Sequence, residues 1–197
     1  MLSQNKHSSV IYSVGEEIKL KKLIVSAKNG DKEAFEVVYT MLYTPLYRYV
    51  CSRSKDRELA NDICQQAFLK FYQALAVYEP EKSPLAYLFT IAKNLLINHG
   101  IKKTFTSFDE TLFETYADET IGILNESHTK QLAENINTYV SELTKDEADV
   151  IRMYFYSELS YKEISEVLDK EETYLRKIKE RALKKLRILT KHLHEGH

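Results

Sequence analysis

The sequence predicts an all-α chain: two small helical domains joined by an acidic linker, the second ending in a helix-turn-helix. Three observations point there. Only three prolines and five glycines punctuate 197 residues, too few turns for a many-stranded sheet. Apolar residues recur at helical spacing through two long blocks. Between the blocks, Thr104 to Glu126 carries Asp109, Glu110, Glu114, Asp118, Glu119 and Glu126 with no Lys or Arg, and lacks a sustained period.

The elements follow in order. Residues 1–17 read as a polar tail. A helix beginning near Glu16 stops at "NG", with Gly30 as its C-terminal cap. Asp31 caps the next helix, where Phe35, Val38, Tyr39 and Leu42 share a face; Pro45 interrupts it, and Leu46, Tyr49 and Val50 continue it after a kink. A third helix from about Asp56 to Val77 buries Leu59, Ile63, Ala67, Phe68, Phe71 and Leu75. "YEPEKSP" is a loop whose Ser83 and Pro84 suit the cap and first turn of a fourth helix, running to about Lys103 and burying Leu85, Leu88, Ile91, Ala92 and Leu95. These elements make a domain over residues 18–103. After the linker, residues 104–126, a second domain spans 127–197. Leu132, Ile136, Tyr139, Val140 and Leu143 form its first stripe. Thr144 with Glu147, and Ser160 with Glu163, are two capping boxes.

Composition excludes several function classes. No apolar run approaches the roughly 20 residues that cross a bilayer, and "MLSQNKHSSVIYSVGEEIKL" lacks the basic head and apolar stretch of a secretory leader. Cys51 and Cys64 are too few for a disulfide scaffold and lack zinc spacing, so free thiols in the cytoplasm are expected. There is no glycine-rich phosphate loop, nucleophile–base pairing or defined carboxylate pair, so an enzyme is the least supported reading and no cofactor is implied. His192, His194 and His197 have no Cys or carboxylate set to complete a metal site and read as tail. A net charge of −1 excludes a wholly basic coat, but nine of the residues from Lys170 to Lys191 are Lys or Arg, opposed only by Glu171, Glu172 and Glu180.

That basic segment is the candidate DNA reader. Ile164, Val167 and Leu168 on one helix, and Leu175, Ile178, Ala182 and Leu186 on the next, face inward against Val150, Ile151 and Tyr154. Tyr174, Arg176, Lys177, Lys179, Arg181 and Lys184 are left outward. In a helix-turn-helix the second helix enters the major groove by its N-terminal turns, and flanking cations hold phosphate. The plainer reading is a solvated helix whose bases suit the dipole. In the first domain, Asp62, Gln65 and Gln66 lie opposite the apolar stripe and suit a protein partner, or are ordinary surface polarity. Tyr87, Thr90, Lys93, Asn94 and Asn98, ending in Lys102 and Lys103, interleave aromatic, amide and basic groups on one face. That pattern fits unstacked nucleic acid, where rings stack on bases and cations hold phosphate; the plainer reading is a helix that buries its Tyr.

"GDKEAFEVVYTMLYTPLYRYV", "ELANDICQQAFLKFYQAL" and "PLAYLFTIAKNLLINH" resemble, in order, the promoter-melting domain of the extracytoplasmic-function (ECF) RNA polymerase sigma factors. "LTKDEADVIRMYFYSELSYKEISEVL" resembles the start of their second domain. The resemblance covers roughly residues 28–103 and 127–190, with the linker between. It implies a sigma factor that binds core RNA polymerase and promoter DNA, duplex and single-stranded, recognises −35 and −10 elements and promotes strand opening without catalysis. Asp62, Gln65 and Gln66 would dock on the clamp of the largest polymerase subunit; the family usually has Glu at Gln66. Lys82, Ser83, Tyr87, Thr90, Lys93, Asn94, Asn98 and Lys102 would serve the −10 element and melting, with Tyr87 where the family often has Trp and Lys93–Asn94 matching its basic–Asn pair. Glu172, Thr173, Tyr174, Arg176, Lys177, Lys179, Arg181 and Lys184 would serve the −35 element. Asp169 replaces the family's usual Gly and Lys170 a usual apolar residue; Asp tolerates a left-handed backbone, Glu171 and Glu172 suit the dipole of a first turn, and a Glu can accept from cytosine N4. An anti-sigma factor is a candidate partner; membrane insertion is not expected. A helix-turn-helix regulator acting without polymerase, and a polymerase-binding adaptor without sigma activity, are the alternatives.

Overall fold

The computed structural model describes residues 14–54, 56–79, 82–100, 139–140 and 142–194, with side chains described as far as residue 188. Regular structure among these residues is helical throughout. The expected linker, residues 104–126, lies outside them, as do Lys102, Lys103, Leu132, Ile136 and His197 and the side chains of His192 and His194.

Helix α1, Val14–Lys28, starts earlier than the tail boundary expected at residue 17. It ends where Gly30 takes φ 96°, a left-handed turn that a side chain would strain. Asp31 then caps α2, Lys32–Cys51, its carboxylate accepting from the Ala34 N–H at 3.0 Å. Helix α2 runs unbroken through Pro45. An interior proline costs about 3 kcal/mol, but Leu42, Leu46, Tyr49 and Val50 on either side of it are fully buried. Each such side chain contributes about 1.5–3 kcal/mol, so burial outweighs the breaker.

Asp56 caps α3, Arg57–Ala74, accepting from the Glu58 and Leu59 N–H groups, and a 3-10 turn, Leu75–Val77, closes it. Ser83 caps α4, Pro84–Asn98, with Pro84 in the first turn. Helix α4 stops short of the expected Lys103 because Gly100 turns left-handed at φ 70°. Burial follows the expected stripes at Ile63, Ala67 and Phe71 of α3 and at Leu85, Leu88 and Ala92 of α4, and adds Cys64, Phe89 and Leu96, which the stripes did not include; both helices meet α2. Leu59 and Ile91 are only half-buried at the rim of that core. Cys51 and Cys64 are free thiols, and burial pushes the Cys64 thiol above its ordinary range.

The second module opens with both predicted capping boxes. Thr144 caps α5, Lys145–Ile151, and Ser160 caps α6, Tyr161–Leu168, each with the Glu three residues on reaching back to the cap N–H. Between them the chain widens into a π-turn, Arg152–Tyr156, and reverses at Glu158, φ 55°. Asp169 ends α6 at φ 53°, ψ 53°, the left-handed cap expected of it, and α7, Glu172–His194, follows.

The two modules are in contact. Val150, Met153, Leu159, Ile164, Val167, Leu175 and Ile178 belong to one contiguous core with α1–α4. Helix α6 packs along α4, and the π-turn packs on α2. A smaller cluster, Val140, Leu143, Ala148, Ile151 and Ala182, ties α5 to α7. The sequence pattern predicts each apolar face but not that the faces of the two domains merge.

Candidate nucleic-acid and partner interface

Three surfaces carry the predicted residues. On α3 the buried stripe of Ile63, Ala67 and Phe71 turns Asp62, Gln65 and Gln66 outward, all exposed. Leu69 joins them at 57% exposure, with Tyr72 beside it. Leu69 and Tyr72 set apolar surface beside the amides and the carboxylate. Leu69 lies just off the core stripe, three and four residues from Gln66 and Gln65, so helical spacing alone could have found it.

On α4, Tyr87 stands 36% exposed with its ring propped by Phe71 and Tyr78 at centroid distances of 5.7 and 5.4 Å. Such a ring is held by its neighbours yet reaches solvent. Asn94 and Asn98 are exposed farther along the helix. The other predicted groups are already engaged. Thr90 donates its hydroxyl to the Ala86 carbonyl at 3.0 Å, within its own helix. Lys82 is exposed and pairs with Glu79 at 2.9 Å. Ser83 donates its hydroxyl to Glu163 at 3.0 Å and its N–H to Glu166 at 3.3 Å, both on α6. Lys93 donates to the Val167 carbonyl at 2.6 Å; burial holds its ammonium below the ordinary lysine value.

Behind this contact lies a buried ion pair. Arg53, just past α2, meets Asp149 of α5 at 2.6 Å and lies 3.4 Å from the Tyr49 hydroxyl. Arg152 approaches Asp149 at 3.9 Å. Arg48 and Glu158 pair at 3.7 Å across the same seam.

On α7, burial of Leu175, Ile178 and Ala182 turns Thr173, Tyr174, Arg176, Lys177, Arg181 and Lys184 outward. Glu172 does not stand apart as a bare acid: it pairs with Arg176 at 3.6 Å, one turn on. Arg176 also lies over the Tyr161 ring at 4.1 Å, and Lys179 over Tyr154 at 4.2 Å and Tyr161 at 5.2 Å. Burial opposes the Lys179 charge, but a hydrogen bond to Tyr161 and the fields of Tyr161 and Tyr154 carry its pKa above the ordinary value. Tyr154 and Tyr161, rings 5.1 Å apart, therefore hold two cations of the basic helix in set positions. Sequence reasoning gave Tyr154 only a wall position and passed over Tyr161. The π-turn that brings the rings together has no local signature. Lys170 and Arg181 flank Tyr174 at 5.7 and 6.0 Å in a looser version of the same arrangement.

Among the described residues no three His, Cys, Asp or Glu side chains converge as metal ligands, and no helix is long and apolar enough to cross a membrane.

Comparison with known proteins matches both modules to one family. Residues 38–104 match the family model described as Sigma-70 region 2, and residues 139–187 the one described as Sigma-70, region 4. The "RNA polymerase sigma factor YlaC" of Bacillus subtilis is 30% identical over 142 residues, covering 70% of this chain and 80% of the relative. The "ECF RNA polymerase sigma factor SigM" of the same organism is 27% identical over 154 residues, 77% of this chain and 92% of the relative. Among solved structures, CnrH in complex with the cytosolic domain of CnrY has a TM-score of 0.66 at 18% identity, covering 88% of this chain and 98% of that one. The sigma factor RpoE in complex with the anti-sigma factor NepR, from Bartonella quintana, has a TM-score of 0.58 at 17% identity, covering 80% and 96%. At these identities the structural likeness concerns the fold.

Proposed function

Because the chain belongs to the ECF-type RNA polymerase sigma factors, we propose a division of labour in transcription initiation among its three surfaces. Helix α7 grips the −35 duplex: its exposed cations neutralise phosphate, and Thr173, Tyr174 and Arg176 in its first turns reach base edges. Helix α4 takes the −10 element, Tyr87 stacking on an unpaired base while Lys82, Ser83 and Lys93 hold the strand and Asn94 and Asn98 contact base edges. Helix α3 presents Asp62, Gln65, Gln66 and Leu69 to the clamp of the largest subunit of core polymerase. Glu172 orients Arg176 through their pair and contacts DNA only through it.

The observation that carries this reading is the pairing, in one chain, of a propped and accessible ring on α4 with an outward basic face on α7. A duplex reader alone has no use for the first. Strand opening then draws on binding energy for extruded bases, and the chain catalyses nothing itself. Its place of work is the cytoplasm, with polymerase and DNA. The two structural neighbours are complexes with CnrY and with the anti-sigma factor NepR, which supports an inhibitory protein partner here as well.

Run-off transcription with purified core polymerase tests the reading. Specific transcripts from a cognate promoter should appear only when this chain is added. Binding to promoter DNA with no transcript under any template condition would contradict it.

A further inference from the structure

We propose that α1 supplies a phosphate grip to the −10 site: Lys28, at the end of α1, binds the Tyr78 carbonyl and turns its remaining donors to the backbone of the strand whose base stacks on Tyr87. This rests on the reading of α4 as the −10 surface and brings to it a residue from another helix.

A lysine in the last turn of a helix ordinarily complements the carbonyls of its own helix. Lys28 reaches elsewhere. Its ammonium donates to the Tyr78 carbonyl at 3.1 Å, 50 residues along the chain, where α1 packs on the 3-10 turn. The residue is exposed. An ammonium carries three donors, so two remain for a ligand.

Tyr78 links that cation to the ring on α4. Its N–H donates to the Leu75 carbonyl at 3.2 Å and its hydroxyl to the Lys82 carbonyl at 2.6 Å. Its buried ring packs edge-on against Phe71 at 5.2 Å and Tyr87 at 5.4 Å. Lys28 therefore sits on the backbone of the residue that props Tyr87. Base and phosphate belong to one nucleotide, so a site that stacks the first needs a cation within a sugar's length for the second. Helix α4 offers little of its own: Lys93, more than one turn beyond Tyr87, is the one Lys or Arg between Pro84 and Asn98.

The local charge suits an anion. Lys82 meets Glu79 at 2.9 Å. Lys82, by hydrogen bond and by charge, and then Lys28 by charge, hold the Glu79 carboxyl below its ordinary value against a small opposing effect of burial. Two ammoniums against one carboxylate leave one positive charge for a strand.

The test is the affinity of holoenzyme, core polymerase with the full-length chain, for a fluorescein-labelled fork template whose −10 segment is single-stranded, read by anisotropy across a salt series. Each single-strand phosphate contact steepens the fall of log affinity with log salt by about 0.7. K28Q should bind about 5-fold more weakly than wild type, with a slope shallower by about 0.7. K28R should restore both. K19Q removes the same charge from another exposed position of α1 and should stay within about 2-fold at the wild-type slope. Each chain should melt like wild type; if K28Q does not, K28M, which keeps the apolar stem, carries the same two expectations. A loss in K28Q at the wild-type slope would leave Lys28 as a tie for the Tyr78 carbonyl alone, and equal losses in K28Q and K19Q would leave only diffuse charge. Either result overturns the grip. Y87A separates the two levels, since it removes a neutral ring and should weaken binding at unchanged slope. Weaker binding by Y87A beside wild-type binding by K28Q removes the grip and leaves the α4 reading standing. Wild-type binding by Y87A removes both.

Discussion

Arg53 and Asp149, 96 residues apart in the chain, meet at 2.6 Å with both side chains withdrawn from water. The pair joins the end of α2 to α5. A buried ion pair adds little over a well-packed apolar pair, but breaking it leaves an uncompensated charge. Arg53→Ala should cost about 3–5 kcal/mol in urea denaturation. Asp149→Ala should cost at least as much, since Arg152 also loses a carboxylate 3.9 Å away. The double change Arg53→Met with Asp149→Leu should recover most of the loss, and equal losses in single and double variants would contradict the account.

The tyrosine pair under the basic helix acts through the cations it holds. Tyr161→Leu keeps apolar bulk but removes the ring 4.1 Å from Arg176. A cation–π contact of about 1 kcal/mol sets the expected loss at roughly 5-fold in affinity for −35 duplex. Tyr161→Phe keeps the ring and should stay within about 2-fold. Because no charge changes, the slope of log affinity against log salt should match wild type in both variants. A changed slope would mean that Tyr161 serves the fold instead, and no rescue by Phe would move the role from the ring to the hydroxyl that Lys179 hydrogen-bonds.

Stability below neutral pH should depend on Glu147. Burial opposes its charge, but hydrogen bonds from Lys185 and Thr144 hold its pKa below the ordinary 4.5. A carboxylate with a depressed folded pKa stabilises fully above the unfolded value and loses that contribution as pH falls through the folded one. Thermal melting should therefore show a drop beginning below about pH 4.5 that is smaller in Glu147→Gln. Gln preserves the capping-box acceptor, so the difference reports the charge and its 2.7 Å contact with Lys185.

Asp169 sits at φ 53°, ψ 53° between α6 and α7. Left-handed backbone costs an L-residue about 1–2 kcal/mol, less for Asp and nothing for Gly. Asp169→Gly should raise the melting temperature, and Asp169→Val should lower stability by about 1 kcal/mol or more. A turn without strain would leave both unchanged.

What the sequence discloses is local. The boxes at Thr144–Glu147 and Ser160–Glu163, the left-handed Asp169 and the buried stripes of α3 and α4 depend on residues within a turn or two of one another, and spacing is enough to read them. Helix α2 continues through Pro45 because tertiary burial outweighs a local preference. Lys93 exposes the limit of helical phase: it lies on the polar side of α4 as expected, but phase does not say that α6 covers it. The same holds for Arg53 and Asp149, whose meeting depends on how two modules dock, and for Tyr154 and Tyr161, joined by a π-turn that no composition announces.

The most direct test of the account is permanganate footprinting of −10 thymines on promoter complexes formed with core polymerase. Wild type should yield reactive, unpaired thymines. Tyr87→Ala and Lys93→Ala should each lower that reactivity about 10-fold, a loss of roughly 1.4 kcal/mol of opening energy, while gel shift finds closed complexes retained. Full thymine reactivity in both variants would contradict the assignment of strand opening to α4.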